Sequence, residues 1–425
     1  MLAKSNMFMS LEKSRKIWDR QGKCILPVNK YIEPVLKKGK GSFVWDVDGN
    51  KYLDLNGGQF CLCFGHTYPA YTEAVIQQLN TIAHTNTNTL SSVVFEALQR
   101  LVEITDKTFK AGILLSTGAE AVEFALRFSK SIKKNDKIIF LNEGYHGSSL
   151  GAQSVSTYGK WAFPKISGAF GVTVPRTLAE VAPCVEEIKR VLKENHEGIA
   201  AVIMEPILGA GGMIFPPVQF FKEVRALCNR HEVILIFDEC QTGFGRTGHW
   251  FCYQKYGIAP DVLIFAKAVG AGAPVSGVLF TEDLVEKMRH GNLTHFGSHQ
   301  NDPLAAAIVL FVIAEIKKKN ILARVENSGK NFLNKIIKIA AQNKTLVNPR
   351  GIGLMIAFDL NEELFTDEKN PGQELMQSLL SRGILIQSFN RGRTFRILPN
   401  FLISLDEIDF FIKNLQESLK EISHE

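Results

Sequence analysis

Alternation of apolar and polar positions opens the legible part of the chain at about residue 40, where GSFVWDVDGNKYLDL sets two β runs around Asp48-Gly49-Asn50. Turn chemistry between alternating runs predicts a hairpin. After Gly65-His66 and Pro69 the apolar spacing from Tyr71 to Leu79 becomes that of a helix. From about residue 110 short apolar runs alternate with helical stretches, which predicts an α/β fold with a mostly parallel central sheet covered by helices. The runs are GILLS (112–116), KIIFLN (137–142), AAVIMEP (200–206), VILIFDE (233–239) and DVLIFAK (261–267). Each is strand-length and ends in a group with chemistry: the Thr117-Gly118 turn, Tyr145-His146-Gly147, Glu205, Asp238 and Lys267. Ligands of open parallel sheets sit beyond the carboxyl ends of the strands, so these five endings are expected to converge on one crevice. Past residue 300 or so the chain turns to a long amphipathic helix, LAAAIVLFVIAEIKKK, then Gly351, Gly353, shorter strands and a terminal helix after Ser404. The expected division is an N-terminal segment (1–56) joining the small domain, a large domain (57–300) and a smaller C-terminal α+β domain (301–425).

Composition adds limits. A chain of 425 residues that is 45% hydrophobic can bury a large core. The net charge of +6 is small for that length. The basic runs Lys37 to Lys40 and Lys317 to Lys319 read as solvated faces, and nucleic acid is not an expected partner. No apolar stretch reaches the roughly 18 residues of a membrane span, and the charged first twenty residues, with Lys4, Lys13, Arg15, Lys16, Asp19 and Arg20, give no signal-peptide core. Seven cysteines form no CxxC pair, which points to reduced thiols in a cytoplasm and to no metal site. Cys61 and Cys63 share a face of any strand they occupy, and packing explains them better than metal binding.

The strand endings offer a candidate for each job that a phosphorylated pyridine aldehyde would need done. A phosphate needs backbone N–H donors, and STGAEAVEFALRFSKSI places Gly118 and Ala119 at the positive end of a helix, with the Ser116 hydroxyl beside them. An ordinary capped β-to-α turn reads the same way. A ring nitrogen needs an anion, and Asp238 follows five apolar residues, where a carboxylate requires a cation or donors to be retained. An isolated Asp after a strand is more often a turn cap. An aldehyde needs an amine, and Lys267 closes an apolar run just before Gly270, Gly272 and Pro274; burial there favours the nucleophilic neutral form. Most lysines instead reach out to solvent. Tyr145 can stack on a ring, and Arg396 in RTFRILPNF can clamp a carboxylate, although a loop aromatic and a surface charge would look no different.

Taken in order, VWDVDGNKYLDLNGG, FGHTYP, STGAEAVEFALRFSK, NEGYHG, MEPILGAGG, DECQTGFGRTG, FAKAVGAGAPVSG, SHQNDPLAAA and FRILPNF resemble the class III pyridoxal-phosphate-dependent aminotransferases from about residue 40 to the C-terminal end. The resemblance implies a type I PLP-dependent transferase fold and pyridoxal 5'-phosphate as cofactor. It makes Lys267 the Schiff-base lysine and proton shuttle, Asp238 the partner of the pyridine nitrogen, and Gly118 and Ala119 the phosphate turn. Tyr145, with His146 next to it, would lie against the ring, and Gln241 near its phenolic oxygen. Glu205 would pair with the carboxylate-binding Arg396. Ser298 stands where the family has a threonine that reaches the neighbouring subunit's phosphate, with Thr294 as the other candidate, so an obligate homodimer is implied. Ala119 stands where a Thr or Ser is common, which implies somewhat weaker cofactor retention.

Three other readings bear on function. Gly243, Gly245 and Gly248 in GFGRTG spell a dinucleotide fingerprint after a strand, but no clean helix follows, and Asp261 starts a strand where the ribose-binding acid should end one. A nicotinamide dehydrogenase is therefore disfavoured. A binding protein that lost the chemistry is disfavoured by the presence of Lys267, Asp238 and Arg396 together. Within the family, GGQFCLCFGH is similar to the corresponding region of dialkylglycine decarboxylases, with Gln59 placed to hold a carboxylate, so decarboxylation-linked transamination is the runner-up. The main expectation is transfer of an amino group from an amino acid or ω-amine to a 2-oxo acid.

Overall fold

A computed structural model describes residues 10–28, 31–157, 167–195, 198–291, 293–366 and 370–423. Lys4, among the N-terminal charges noted above, lies outside them. The chain divides into two compact units, one of Met1–Tyr68, Asn331–Arg350 and Ile356–Glu425, the other of Pro69–Lys330 and Gly351–Met355.

The larger unit is built on a seven-stranded sheet ordered Ala111–Leu115, Ser276–Phe280, Val262–Phe265, Ile234–Asp238, Ile199–Met204, Lys137–Leu141, Ala169–Val172. The last five are parallel neighbours, and Ser276–Phe280 runs antiparallel to both strands beside it. All five apolar runs become strands, and the fold is the α/β, mostly parallel arrangement expected. Alternation explains why both sheet faces are covered. Ile138, Phe140, Ala201, Ile203, Ile234, Ile236, Val262 and Ile264 form one core with Val122, Ala125, Leu126 and Phe128 of the Gly118–Lys133 helix. Their alternate neighbours point the other way, where Phe237 meets Phe221 of the Val218–Arg230 helix at 5.7 Å between ring centres. The Pro303–Lys318 helix belongs to this unit, with Phe311 edge-on to Tyr71 at 5.8 Å.

In the smaller unit the expected hairpin forms from Phe43–Asp46 and Lys51–Asp54. Asp46 closes it by accepting from the Asn50 amide N–H at 2.8 Å and from the Tyr52 hydroxyl at 2.8 Å. Leu36–Lys40 and Ile384–Leu385 flank the hairpin in one four-stranded sheet. A second sheet sets Thr394–Ile397 between Met355–Leu360 and Gln387–Phe389, antiparallel to both. Among the described residues no helix is long and apolar enough to cross a membrane.

Candidate active site

Five strand ends meet in the larger unit, and a chain of short contacts links them. Asp238 closes its strand nearly buried, and its Oδ2 lies 2.7 Å from Nδ1 of His146, which is itself buried. Its Oδ1 accepts the Cys240 backbone N–H at 3.0 Å. Burial alone would raise the Asp238 carboxyl, but the His146 ring and the Cys240 N–H outweigh it and hold the carboxyl below the usual carboxylate value. A buried anion thus persists at this strand end. The other ring nitrogen of His146, Nε2, is buried without a hydrogen-bond partner among the described residues.

Glu205 ends the neighbouring strand, its two oxygens accepting the backbone N–H groups of Tyr145 at 2.9 Å and Gly209 at 3.1 Å. Burial raises its carboxyl, opposed by His146 and reinforced by Asp238. These bonds fix the Gly144–Gly147 loop and so aim Tyr145, whose hydroxyl lies 3.1 Å from that of Ser148. The Gln241 amide oxygen presses on Gly209, where a Cβ would occupy its space.

The Gly118–Lys133 helix starts with Thr117 as its cap, whose hydroxyl accepts the Glu120 N–H at 3.2 Å. The Glu120 carboxylate in turn accepts the Ser116 N–H at 2.9 Å. Those two bonds leave the N–H groups of Gly118 and Ala119 without a partner among the described residues. Unpaired donors at the start of a 16-residue helix are an anion seat. A Cβ on Gly118 would come within 3.1 Å of Cys240 Sγ and 3.5 Å of Ala266 Cβ, so the seat adjoins the ends of the Asp238 and Lys267 strands. Burial, then the charge of Asp238, raises the Cys240 thiol far above its ordinary value, with Lys267 acting against them. This thiol lies within the field of both groups.

Lys267 differs in detail from its expected place. Its strand ends at Phe265, and Lys267 opens a 3-10 turn, Lys267–Gly270, with φ of 54°. A left-handed backbone costs a lysine roughly 1–2 kcal/mol and turns the side chain away from the strand's alternation. Strain of this kind persists where the surroundings impose it, and it concentrates at functional sites. The Lys267 amine has no hydrogen bond among the described residues.

The site can therefore be tested for fit to a phosphorylated pyridine aldehyde. Two unpaired helix N–H groups suit the phosphate, a buried and persistently charged carboxylate suits a protonated ring nitrogen, and an unengaged amine on a strained turn suits the aldehyde. The groups present fit. Gly147 packs so closely on Ala119 that a Cβ there would sit 2.7 Å from the Ala119 methyl, which limits what residue 119 can carry. Ala119→Ser adds only a hydroxyl, and cofactor dissociation is expected to tighten about fivefold, from a net hydrogen bond of about 1 kcal/mol. Equilibrium dialysis checks this, and an unchanged constant contradicts it.

Arg396 and Gln59 lie in the smaller unit. Arg396 is 2% exposed, with Cζ 3.2 Å from the centre of the Phe389 ring and 4.9 Å from that of Phe60. The Gln59 side chain accepts from the Gln387 amide at 3.4 Å. Ser298 and Thr294 are both exposed, on a segment tied to the sheet by Asn301, which exchanges hydrogen bonds with Leu114 at 2.9 and 3.0 Å. Beside Ser298, His299 Nδ1 lies 2.7 Å from Asp302 Oδ2, and His84 Nδ1 3.2 Å from the same oxygen.

Sequence reasoning left two features unread. The His146–Asp238 pair spans 92 positions and has no local signal, and the role of Glu239 depends on a loop that brings Cys252 and Tyr253 back to it. Glu239 is fully buried and accepts the Cys252 and Tyr253 N–H groups at 2.6 and 2.8 Å, although burial pushes its carboxyl up to about 7. It braces the loop that follows Asp238. The GFGRTG segment forms turns with Phe244, Gly245 and Gly248 at positive φ and opens no helix. Asp261 is held by Arg225 at 2.9 Å and by the Leu235 N–H at 2.7 Å. The dinucleotide reading has no seat here.

The family model described as aminotransferase class-III matches residues 27–419. A "[LysW]-aminoadipate semialdehyde/glutamate semialdehyde transaminase" of Sulfolobus acidocaldarius is 32% identical over 91% of this chain and 95% of its own length. The "5-aminovalerate aminotransferase DavT" of Pseudomonas aeruginosa is 31% identical over 83% and 84%. A solved structure, a thermostable (S)-enantioselective omega-transaminase from Thermomicrobium roseum, superposes with a TM-score of 0.89 at 26% identity, covering 98% of this chain and all of that one.

Proposed function

Because the chain belongs to the class III aminotransferases and is a pyridoxal-phosphate-dependent transaminase, we propose that Lys267, Asp238 and the Gly118–Ala119 turn form its catalytic centre and that its donor carries a terminal amine. Bound pyridoxal phosphate supplies a reactive aldehyde on an electron-withdrawing ring, which acidifies the hydrogen next to the donor's nitrogen. The chain's own groups do the rest. The N–H groups of Gly118 and Ala119, with the Ser116 hydroxyl, bind the phosphate. Asp238, kept anionic by His146 and the Cys240 N–H, would keep the ring nitrogen protonated. Tyr145 would cover the ring and Gln241 would bond its phenolic oxygen. The Lys267 Nζ would hold the cofactor's aldehyde carbon, and as a free amine it would be the group that takes and returns the donor's proton. Water and a 2-oxo acid complete the exchange in two halves.

The observation that carries this reading is the meeting of the five strand ends, in which a buried charged carboxylate closes one strand and an amine stands on the turn that follows its parallel neighbour. The choice of a terminal amine rests on the relatives, whose names specify semialdehydes, 5-aminovalerate and an omega-transaminase. Arg396, and Gln59 beside it, are the proposed ligands of a substrate carboxylate. The proposed assembly is a homodimer in which Ser298 reaches the partner's cofactor phosphate. Exposed Ile76, Leu79, Phe95 and Phe296 favour a second copy of the chain against this unit. Seven cysteines, none in a disulfide among the described residues, favour a reducing cytoplasm.

A half-reaction screen tests the reading. The cofactor-loaded protein is mixed with α-amino acids, terminal amines and branched 2,2-dialkyl amino acids while bound-cofactor absorbance and released carbon dioxide are followed. Terminal amines should change the absorbance fastest and release no carbon dioxide. Release in step with turnover of dialkyl amino acids contradicts the reading.

A further inference from the structure

Asp302 stands at a junction of the larger unit, and its two carboxylate oxygens face different groups. As the cap of the Pro303–Lys318 helix it accepts the Leu304 N–H on Oδ1 at 3.0 Å, with proline opening the first turn. Asn301, bonded to Leu114 of the edge strand at 2.9 and 3.0 Å, fixes the chain just before the cap. The carboxylate is therefore held from both sides, with 12% of its side chain exposed. Its second oxygen, Oδ2, faces two imidazoles, His299 Nδ1 at 2.7 Å and His84 Nδ1 at 3.2 Å.

His84 comes from elsewhere in the chain, 218 positions from Asp302. It lies between the helices Pro69–Thr81 and Ser92–Ile104, in a connection folded on itself at Asn86. The Asn86 Oδ1 accepts the Asn88 N–H and its carbonyl accepts the Thr89 N–H, each at 2.9 Å. Tyr71 of the first helix meets Phe311 of the capped helix, so His84 and Asp302 are carried by packed elements of one unit. The two imidazole rings stand 5.0 Å apart at 49°, neither stacked nor edge-on. What brings them together is the shared oxygen. Two nitrogens and one oxygen thus lie within 4.8 Å of one another. Zinc bonds to nitrogen and oxygen of about 2.1 Å put tetrahedral ligands roughly 3.4 Å apart, a spacing that rotation of the two exposed rings reaches. When a neutral ring donates to Oδ2 its Nδ1 carries the proton, and a dication would take the place of both protons. Imidazole nitrogen suits transition-metal dications, whereas magnesium and calcium take oxygen ligands.

We propose that His84, His299 and Asp302 form a site for a divalent transition-metal ion of the zinc class, bound through the two Nδ1 atoms and Oδ2. The set holds no cysteine, which is why cysteine spacing gave no sign of it. Three protein ligands leave one position of a tetrahedron to water, and the exposure of both rings gives the ion a path from solvent. All three ligands belong to the larger unit, and none is among the groups proposed to hold the cofactor. A bound ion joins the connection carrying His84 to the segment carrying His299, so binding opposes their separation and stabilises the unit.

The experiment strips the cofactor-loaded protein of metal with a chelator, dialyses it against zinc chloride and measures bound zinc by elemental analysis. Wild type is compared with His84→Ala, His299→Ala and Asp302→Asn. Asparagine keeps the helix cap while removing the anionic ligand, and the melting temperature without zinc is the control for folding. Wild type should bind about one ion per chain, and each substitution should weaken that binding more than about tenfold. An excess of magnesium or potassium should displace none of it. Zinc should raise the melting temperature of wild type and of no variant. Cobalt bound in place of zinc should show the visible bands of nitrogen and oxygen ligation without a thiolate charge-transfer band, which separates this site from the seven cysteines. That readout needs only the wild-type protein and holds even where a variant fails to fold. No uptake by wild type, unchanged zinc affinity in any folded variant, displacement by magnesium or potassium, or a thiolate band overturns the assignment.

Discussion

Lys267→Ala is expected to lose about 10⁴-fold or more in turnover while the protein still folds and still binds cofactor through the phosphate turn and Asp238. Proton transfer by a positioned side chain contributes about 10²- to 10⁴-fold, and holding the reacting amine in place adds to that. Alanine keeps the main chain at 267 and inherits the same left-handed φ of 54°, so the variant isolates the amine from the turn that presents it. Steady-state turnover and cofactor content measured on one preparation check this. Turnover within tenfold of wild type contradicts the role given to Lys267.

Asp238→Asn carries the second large effect. The carboxylate is the anion proposed to keep the ring nitrogen protonated, and removing one preorganised electrostatic group at a reacting centre costs roughly 10² to 10³ in turnover, which is the loss expected here with cofactor still present. His146 Nδ1, now 2.7 Å from an anion, would face an amide instead. The variant also has a pH signature. In the fold the Asp238 carboxyl lies below its ordinary value, so its stabilising contribution is present above the unfolded value of about 4 and is lost as pH falls through the lower folded one. The gap in denaturation midpoint between wild type and Asp238→Asn should therefore open as pH rises through that window and then stay level. A gap independent of pH contradicts the pairing.

These two residues were legible in the sequence because each closes an apolar run that could only be a strand, and parallel sheets gather such ends. The same logic exposed Glu205 and the Thr117-Gly118 turn. It missed Ser276–Phe280, which enters the sheet antiparallel after a Gly-rich turn, and Ala169–Val172, whose AFGV offers too few apolar positions to register. The left-handed turn at Lys267 had no local signal either, since its backbone is set by what surrounds it. His146 was visible only as a strand-end residue; its bond to Asp238 spans 92 positions.

The placement of pyridoxal phosphate between Lys267 and Asp238 is tested most directly by fixing the bound cofactor to its amine with borohydride, digesting the protein and mapping the pyridoxyl group by mass spectrometry. The label is predicted on the peptide containing Lys267, and it should be absent from Lys267→Ala. A label on any other lysine in the wild-type protein contradicts the account.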